Sequence, residues 1–301
     1  MSTSKSRILY FASLALLVSA CGVSEVTEVD TSESSEESAA LVSGSRVVYV
    51  GDSLAYETAP VVRSRLEAKG AIFAQAARGG MAICDYFPET KETFRAWGPP
   101  APPNLHDLVV FAKPHVVVMQ FWGNSWQYTP CMKDSAGVVL AQGTKGYYDR
   151  YRKDANRAME VIRDAAAKAG IPMPKVMWVL QGPDSGNASR PKTLNEMYAS
   201  LKSKWPTVST IDAGKTVSLA ANYWNPGDRY GWSRYLPCTK EERDTGHCVN
   251  AYGGVARIHS DKDPLHFCLG TVSDKGCDTW SPGIYRYAGA IANAVVNTLN
   301  K

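Results

Sequence analysis

The stretch Arg46-Val47-Val48-Tyr49-Val50-Gly51-Asp52-Ser53-Leu54 decides how the chain is read. Its first five residues form a β-branched, largely apolar run that stops at Gly51, the signature of a short buried strand. Residues 55–69 follow with apolar positions near helical spacing, and Gly70 is a helix stop. Gly51-Asp52-Ser53-Leu54 therefore falls in a strand-to-helix turn. In a parallel sheet ligands bind beyond the carboxyl ends of the strands. A helix N-terminus there also favours developing negative charge. Ser53 becomes a candidate nucleophile, and the plainer alternative is a serine that only caps the next helix.

Working outward, residues 71–76, 115–121, 175–180 and 208–211 read as further strands, the run His115-Val116-Val117-Val118-Met119-Gln120-Phe121 being the clearest. Helical character is expected over 145–169, ended by Gly170 and Pro172, and over 193–204 and 284–299. Pro99-Pro100-Ala101-Pro102-Pro103 is loop, and 220–279 is loop-rich. Strands alternating with helices predict a parallel α/β sheet.

Three more segments carry chemistry. Arg78-Gly79-Gly80-Met81-Ala82 follows the second strand, where glycine lets a backbone N–H approach a ligand closely. Gly123-Asn124-Ser125 ends the strongest strand, and an Asn amide donates well to an oxyanion. Asp263-Pro264-Leu265-His266 precedes the last helix, and a carboxylate three residues before a histidine can fix its tautomer and stabilise the imidazolium. A second Asp-x-x-His runs from Asp244 to His247, but Asp244-Thr245-Gly246 is turn-like and His247 abuts Cys248. His106, His115 and His259 read as surface or packing residues.

Gly51-Asp52-Ser53-Leu54, Gly80, Gly123-Asn124 and the Asp263/His266 pair together resemble the four blocks of the SGNH (GDSL-like) hydrolase superfamily, over roughly residues 46–300. The resemblance implies a flavodoxin-like three-layer α/β/α fold with a central parallel sheet. It also implies the roles: Ser53 as nucleophile, His266 as base, Asp263 as its orienter, and an oxyanion hole from the Ser53 N–H, the Gly80 N–H and the Asn124 side chain. It implies no cofactor and no metal. The third block departs from the family's usual Gly-x-Asn-Asp, because here Gly123 directly precedes Asn124 and Ser125 follows. Whether Gly79 or Gly80 donates stays open, with Gly80 the better fit to the family pattern. The expected activity is hydrolysis of carboxylic esters, either O-acetylated carbohydrate or lipid and short-chain acyl esters. An O-acyltransferase acting on envelope glycans, and a polysaccharide-binding module without activity, are the alternatives.

The N-terminus carries an address. Lys5 and Arg7 precede an apolar run over 8–18, too short to span a membrane. It ends in Leu17-Val18-Ser19-Ala20-Cys21, which resembles a bacterial lipobox. Residues 1–20 are thus expected to be a signal peptide and Cys21 a lipidation site. Residues 22–45 hold six carboxylates, many Ser and Thr and no basic or aromatic residue until the last position is passed. Such a segment is expected to be a disordered acidic linker, leaving 46–301 as the enzymatic domain. The expected location is the cell envelope, outside the cytoplasm and lipid-anchored.

Export makes disulfides the natural reading of the remaining cysteines, Cys84, Cys131, Cys238, Cys248, Cys268 and Cys277. Fifteen pairings are possible; short loops favour Cys238–Cys248 and Cys268–Cys277, leaving Cys84–Cys131. No Cys-x-x-Cys pair is present and the histidines are not at ligand spacing, which argues against zinc. With 45% hydrophobic residues the 301-residue chain is too polar for a polytopic membrane protein. A net charge of +4 from scattered basic residues argues against nucleic acid as a partner. Among the aromatics, Trp122, Trp126, Tyr128 and Trp232 lie near the candidate site in sequence and suit either sugar stacking or an acyl chain, although most tryptophans and tyrosines serve packing.

Overall fold

The computed structural model describes residues 42–90, 103–127, 129, 131–249 and 254–301. The expected signal peptide, Cys21 and nearly all of the expected acidic linker lie outside these residues, as do Tyr128 and most of the proline-rich stretch. Among the described residues no helix is long and apolar enough to cross a membrane.

Five parallel strands form the central sheet: β1 (Arg46–Gly51), β2 (Ile72–Ala77), β3 (Val116–Gln120), β4 (Lys175–Val179) and β5 (Val208–Ile211). Their order is β2-β1-β3-β4-β5, the flavodoxin-like order in which the chain reverses direction beside β1. The apolar runs follow from burial on both faces. Val48 and Val50 of β1, Val117 and Met119 of β3, and Val176 and Trp178 of β4 point into one core. Val47, Tyr49, Val116, Val118, Met177 and Val179 point into the other.

Helices cover both faces. On the first lie α2 (Leu105–Ala112), α3 (Lys145–Ala169) and α4 (Ser189–Ser200); on the second, α1 (Ser53–Glu67) packs beside the closing helix α6 (Pro282–Leu299). This is the expected three-layer α/β/α sandwich. The order places the ends of β1, β2 and β3 side by side, so the first three motif segments meet at one edge of the sheet.

Several details differ from the sequence reading. Helix α2 differs from the sequence reading: its eight residues come in sequence directly after the proline-rich stretch, and so short an apolar run gives little helical signal of its own. Asn104 caps it by accepting from the Asp107 N–H at 3.0 Å. Helix α4 starts at Ser189 rather than 193. The loop-rich region contains two small antiparallel ladders, β6 (Tyr235–Pro237) with β7 (Val255–Arg257) and β8 (Val272–Ser273) with β9 (Gly276–Cys277), and a short helix α5 (Lys240–Asp244). Disulfides join Cys84 to Cys131, Cys238 to Cys248 and Cys268 to Cys277; the last two close the short loops expected of them, and the first joins the pair left over.

Gly51, where β1 turns into α1, has no room for a side chain. A Cβ there would stand 2.2 Å from the Gln120 carbonyl oxygen of β3 and 2.5 Å from the Ala55 Cβ. The strand end and the first turn of α1 are thereby held in close approach. Gly51→Ala is expected to lower stability by about 1–3 kcal/mol through this overpacking, read as a lower urea midpoint with unchanged slope.

Candidate active site

Ser53 is the first residue of α1 and Asp52 is its N-cap. The Asp52 carboxylate, not the Ser53 hydroxyl, accepts the Leu54 N–H, at 3.1 Å. Capping is therefore done by the neighbour, and the serine hydroxyl is not needed for it.

Asp52 is fully buried. Its second oxygen accepts from the Trp122 N–H at 2.5 Å and from the Asn124 amide at 3.3 Å. Burial pushes its carboxyl up to about 6, against the pull of the Trp122 and Leu54 N–H groups and the His266 charge. One carboxylate thus ties the turn at Ser53 to the segment after β3.

That segment is held from its other side by groups whose role the sequence did not reveal. The carbonyl of Phe121 accepts from the Tyr198 hydroxyl at 3.1 Å, and that of Trp122 from Arg190 at 2.7 Å. The carbonyl of Gly123 accepts from Tyr147 at 2.8 Å, and that of Asn124 from Tyr151 at 2.7 Å. Four successive carbonyls receive side-chain donors from α3 and α4. Gly123 takes φ +106°, and a Cβ there would stand 2.3 Å from the Tyr147 hydroxyl; only glycine fits. This answers the departure from the family pattern: Gly123 makes the turn that buries Asn124.

His266 and Asp263 meet as expected. The Asp263 carboxylate lies 2.7 Å from Nδ1 of His266 and also accepts the main-chain N–H groups of Leu265 and His266, at 3.0 and 3.1 Å. These bonds, the His266 ring first, hold the Asp263 carboxyl well below the usual carboxylate range. Burial works against the His266 imidazolium. Asp263, Glu57 and Asp52 together outweigh it, and the net direction is upward. With Nδ1 engaged by the carboxylate, Nε2 is the nitrogen left for proton transfer.

Ser53, Gly79, Asp263 and His266 line one cavity of about 780 Å³, together with Glu57, Tyr56 and the polar residues Arg257, Ser260, Asp261 and Lys262. A hydroxyl and an imidazole 213 positions apart in sequence thus face the same space (266 − 53).

The cavity faces Gly79 rather than the expected Gly80. A Cβ on Gly79 would stand 3.9 Å from the Ser53 Cβ, whereas Gly80 takes φ +78° and is absent from the wall. Asn124 is buried and also absent from that wall. Its Nδ2 donates to the Met81 carbonyl at 3.1 Å as well as to Asp52, and its Oδ1 accepts from the Trp126 indole at 3.1 Å.

Of the aromatics expected at the site, Trp122 is withdrawn beneath the Arg190 guanidinium, which sits 3.3 Å from its ring centroid. Trp126 is 42% exposed. Trp232 donates to the Pro264 carbonyl at 2.9 Å and stacks on His259. His259 packs under the loop that carries His266, its Nδ1 3.1 Å from the His266 carbonyl. The second Asp-x-x-His does not form a pair: His247 stacks on Trp280 at 3.8 Å and Asp244 pairs with Lys240.

The first three motif segments end β1, β2 and β3, and the fourth comes before α6, which is the arrangement that the SGNH resemblance implies. No protein-family model matches the chain, and no curated protein matches its sequence. Among solved structures, it is similar to a GDSL-like lipase from Bacteroides thetaiotaomicron, at 13% identity over 89% of this chain and 98% of that one, with a TM-score of 0.40. It is also similar to the C-terminal catalytic domain of peptidoglycan O-acetyltransferase A from Streptococcus pneumoniae, at 13% identity over 84% and 93%, with a TM-score of 0.36. The periplasmic domain of a lipopolysaccharide acetyltransferase from Salmonella Paratyphi A gives 12% identity over 90% and 98%, with a TM-score of 0.36.

Asp263→Asn removes the charge that offsets burial of the imidazole. The His266 titration midpoint, followed by NMR of the ring protons, is expected to move to lower pH, because the remaining burial disfavours the cation.

Proposed function

We propose that this chain is an SGNH-type serine esterase acting through Ser53, His266 and Asp263. The observation that carries the reading is that Ser53, at the N-terminus of α1, and His266, bonded to Asp263, line one cavity. His266 Nε2 takes the Ser53 proton as Oγ attacks the ester carbonyl. The Ser53 and Gly79 N–H groups face the developing oxyanion, each such donor contributing about 10²–10³ in rate. Asn124 stands behind them, and its 3.3 Å bond to Asp52 is the longer of its two and the one to be exchanged for a bond to the oxyanion. His266 then protonates the leaving alcohol, and water, activated by the same imidazole, releases the acid.

The cavity wall suits a short acyl group on a polar alcohol: Tyr56, Leu269 and Val272 are its apolar part, and Arg257, Asp261 and Lys262 line it as well. A long acyl chain laid against those charges would strip water from them without replacing it. An O-acetylated carbohydrate fits that wall better than a long-chain lipid ester.

Ser53→Ala and His266→Ala are each expected to abolish hydrolysis of short p-nitrophenyl esters while circular dichroism stays native. Ser53→Ala also removes labelling by a fluorophosphonate probe. An unlabelled wild-type protein overturns the reading. Acetyl esters are expected to outrun octanoyl and longer ones, and a glycan acceptor added with the acyl donor tests whether the acyl group passes to a sugar hydroxyl instead of water.

We further propose that the protein is exported and anchored through lipid on Cys21, on the strength of Leu17-Val18-Ser19-Ala20-Cys21 and the disulfide-bonded domain behind it. Cys21→Ala is expected to shift the protein from the membrane to the soluble fraction; unchanged retention contradicts the anchor.

A further inference from the structure

Glu57 is a glutamate on a helix whose other residues give no reason to bury one, yet it is 1% exposed. It has no Lys or Arg partner among the described ion pairs. Its carboxylate instead accepts main-chain bonds from the far end of the chain: Phe267 N–H at 3.1 Å to Oε1 and 3.2 Å to Oε2, and Cys268 N–H at 3.1 Å to Oε2. These are the two residues that follow His266.

The position on α1 matters as much as the bonds. Glu57 lies four residues after Ser53, so the two side chains occupy one helix face, about 6 Å apart along the axis. Helix geometry fixes Ser53 relative to Glu57, and Glu57 fixes the peptide that carries His266. The same loop is secured elsewhere by the Cys268–Cys277 disulfide, by Ser281 accepting from the Leu269 N–H at 2.9 Å, and by His259 against the His266 carbonyl. None of these reaches α1 next to the nucleophile as Glu57 does.

We propose that Glu57 is a positioning residue for the acyl-transfer chemistry, strapping the base loop to the nucleophile helix and lending its charge to the His266 imidazolium. This rests on the serine-esterase reading for its catalytic consequence, though not for the strap. The groups facing the imidazole are Asp263 on its own loop, Asp52 at the N-cap of α1, Glu57 one turn into that helix, and His259 beneath. Those facing Glu57 are His266, Asp263 and the buried Tyr49 phenol of β1. Burial pushes the Glu57 carboxyl up to about 7, against the pull of His266 and the two N–H donors. Its charge is therefore present on the alkaline side of neutrality, where the base works.

Glu57→Gln separates charge from tether, since the remaining oxygen can still accept from Phe267 and Cys268 while the charge is gone. Glu57→Ala removes both. In Glu57→Gln the His266 midpoint by NMR and the acid limb of kcat/KM are both expected at lower pH, with kcat down about tenfold and KM within about twofold. In Glu57→Ala kcat is expected to fall about 10²-fold, as for a misplaced catalytic group. If Glu57→Ala fails to fold, the Gln variant carries the test alone. A wild-type midpoint and wild-type kcat in Glu57→Gln overturn the proposal. Failure of the fluorophosphonate to label wild-type Ser53 instead overturns the esterase reading, and the NMR midpoint, which needs no turnover, tells the two failures apart.

Discussion

Two buried carboxylates on either side of Ser53 hold the site together. Asp52, just before it, accepts from the peptide and side-chain amides that follow β3; Glu57, one turn after it, accepts from the peptides that follow His266. A carboxylate is the right group for this duty. It accepts several N–H bonds at once, and its charge strengthens each one. It is also an unforgiving group, because a buried charge that loses its donors is strongly destabilising. The loops therefore have little freedom to drift from the helix that carries Ser53.

The electrostatic consequence follows from the same placement. Asp52, Glu57 and Asp263 surround a half-buried imidazole with negative charge. Burial alone would disfavour the imidazolium that must form when the histidine accepts a proton. The carboxylates reverse that preference, so the field that positions the loops also favours the charged form of the proposed base. Arg257, Asp261 and Lys262 add further charge to the wall of the same cavity.

The third segment, 121–124, is a turn held from outside itself. A glycine at φ +106° stands directly before Asn124. Three tyrosine hydroxyls and Arg190 satisfy the four carbonyls of this turn. Buried carbonyls without donors would each cost about 1–3 kcal/mol, so the turn and the residues on α3 and α4 must be taken as one unit.

The sequence by itself determined the sheet, most of the helices, the strand-to-helix turn at Ser53 and the Asp263–His266 pair, and it favoured the two cysteine pairs that close short loops. These are carried by local signals: apolar runs, helical spacing, glycine stops and residues three apart. The short helix at Leu105–Ala112 was hidden because its local signal is weak and proline surrounds it. Only the tertiary structure decided that Gly79 rather than Gly80 faces the cavity, that Trp122 is covered by Arg190, and that Glu57, which reads as an ordinary helix glutamate, reaches residues more than two hundred positions away. Which carbonyl meets which hydroxyl, and which peptide meets which carboxylate, depends on how layers pack across the sheet. No periodicity along the chain encodes that.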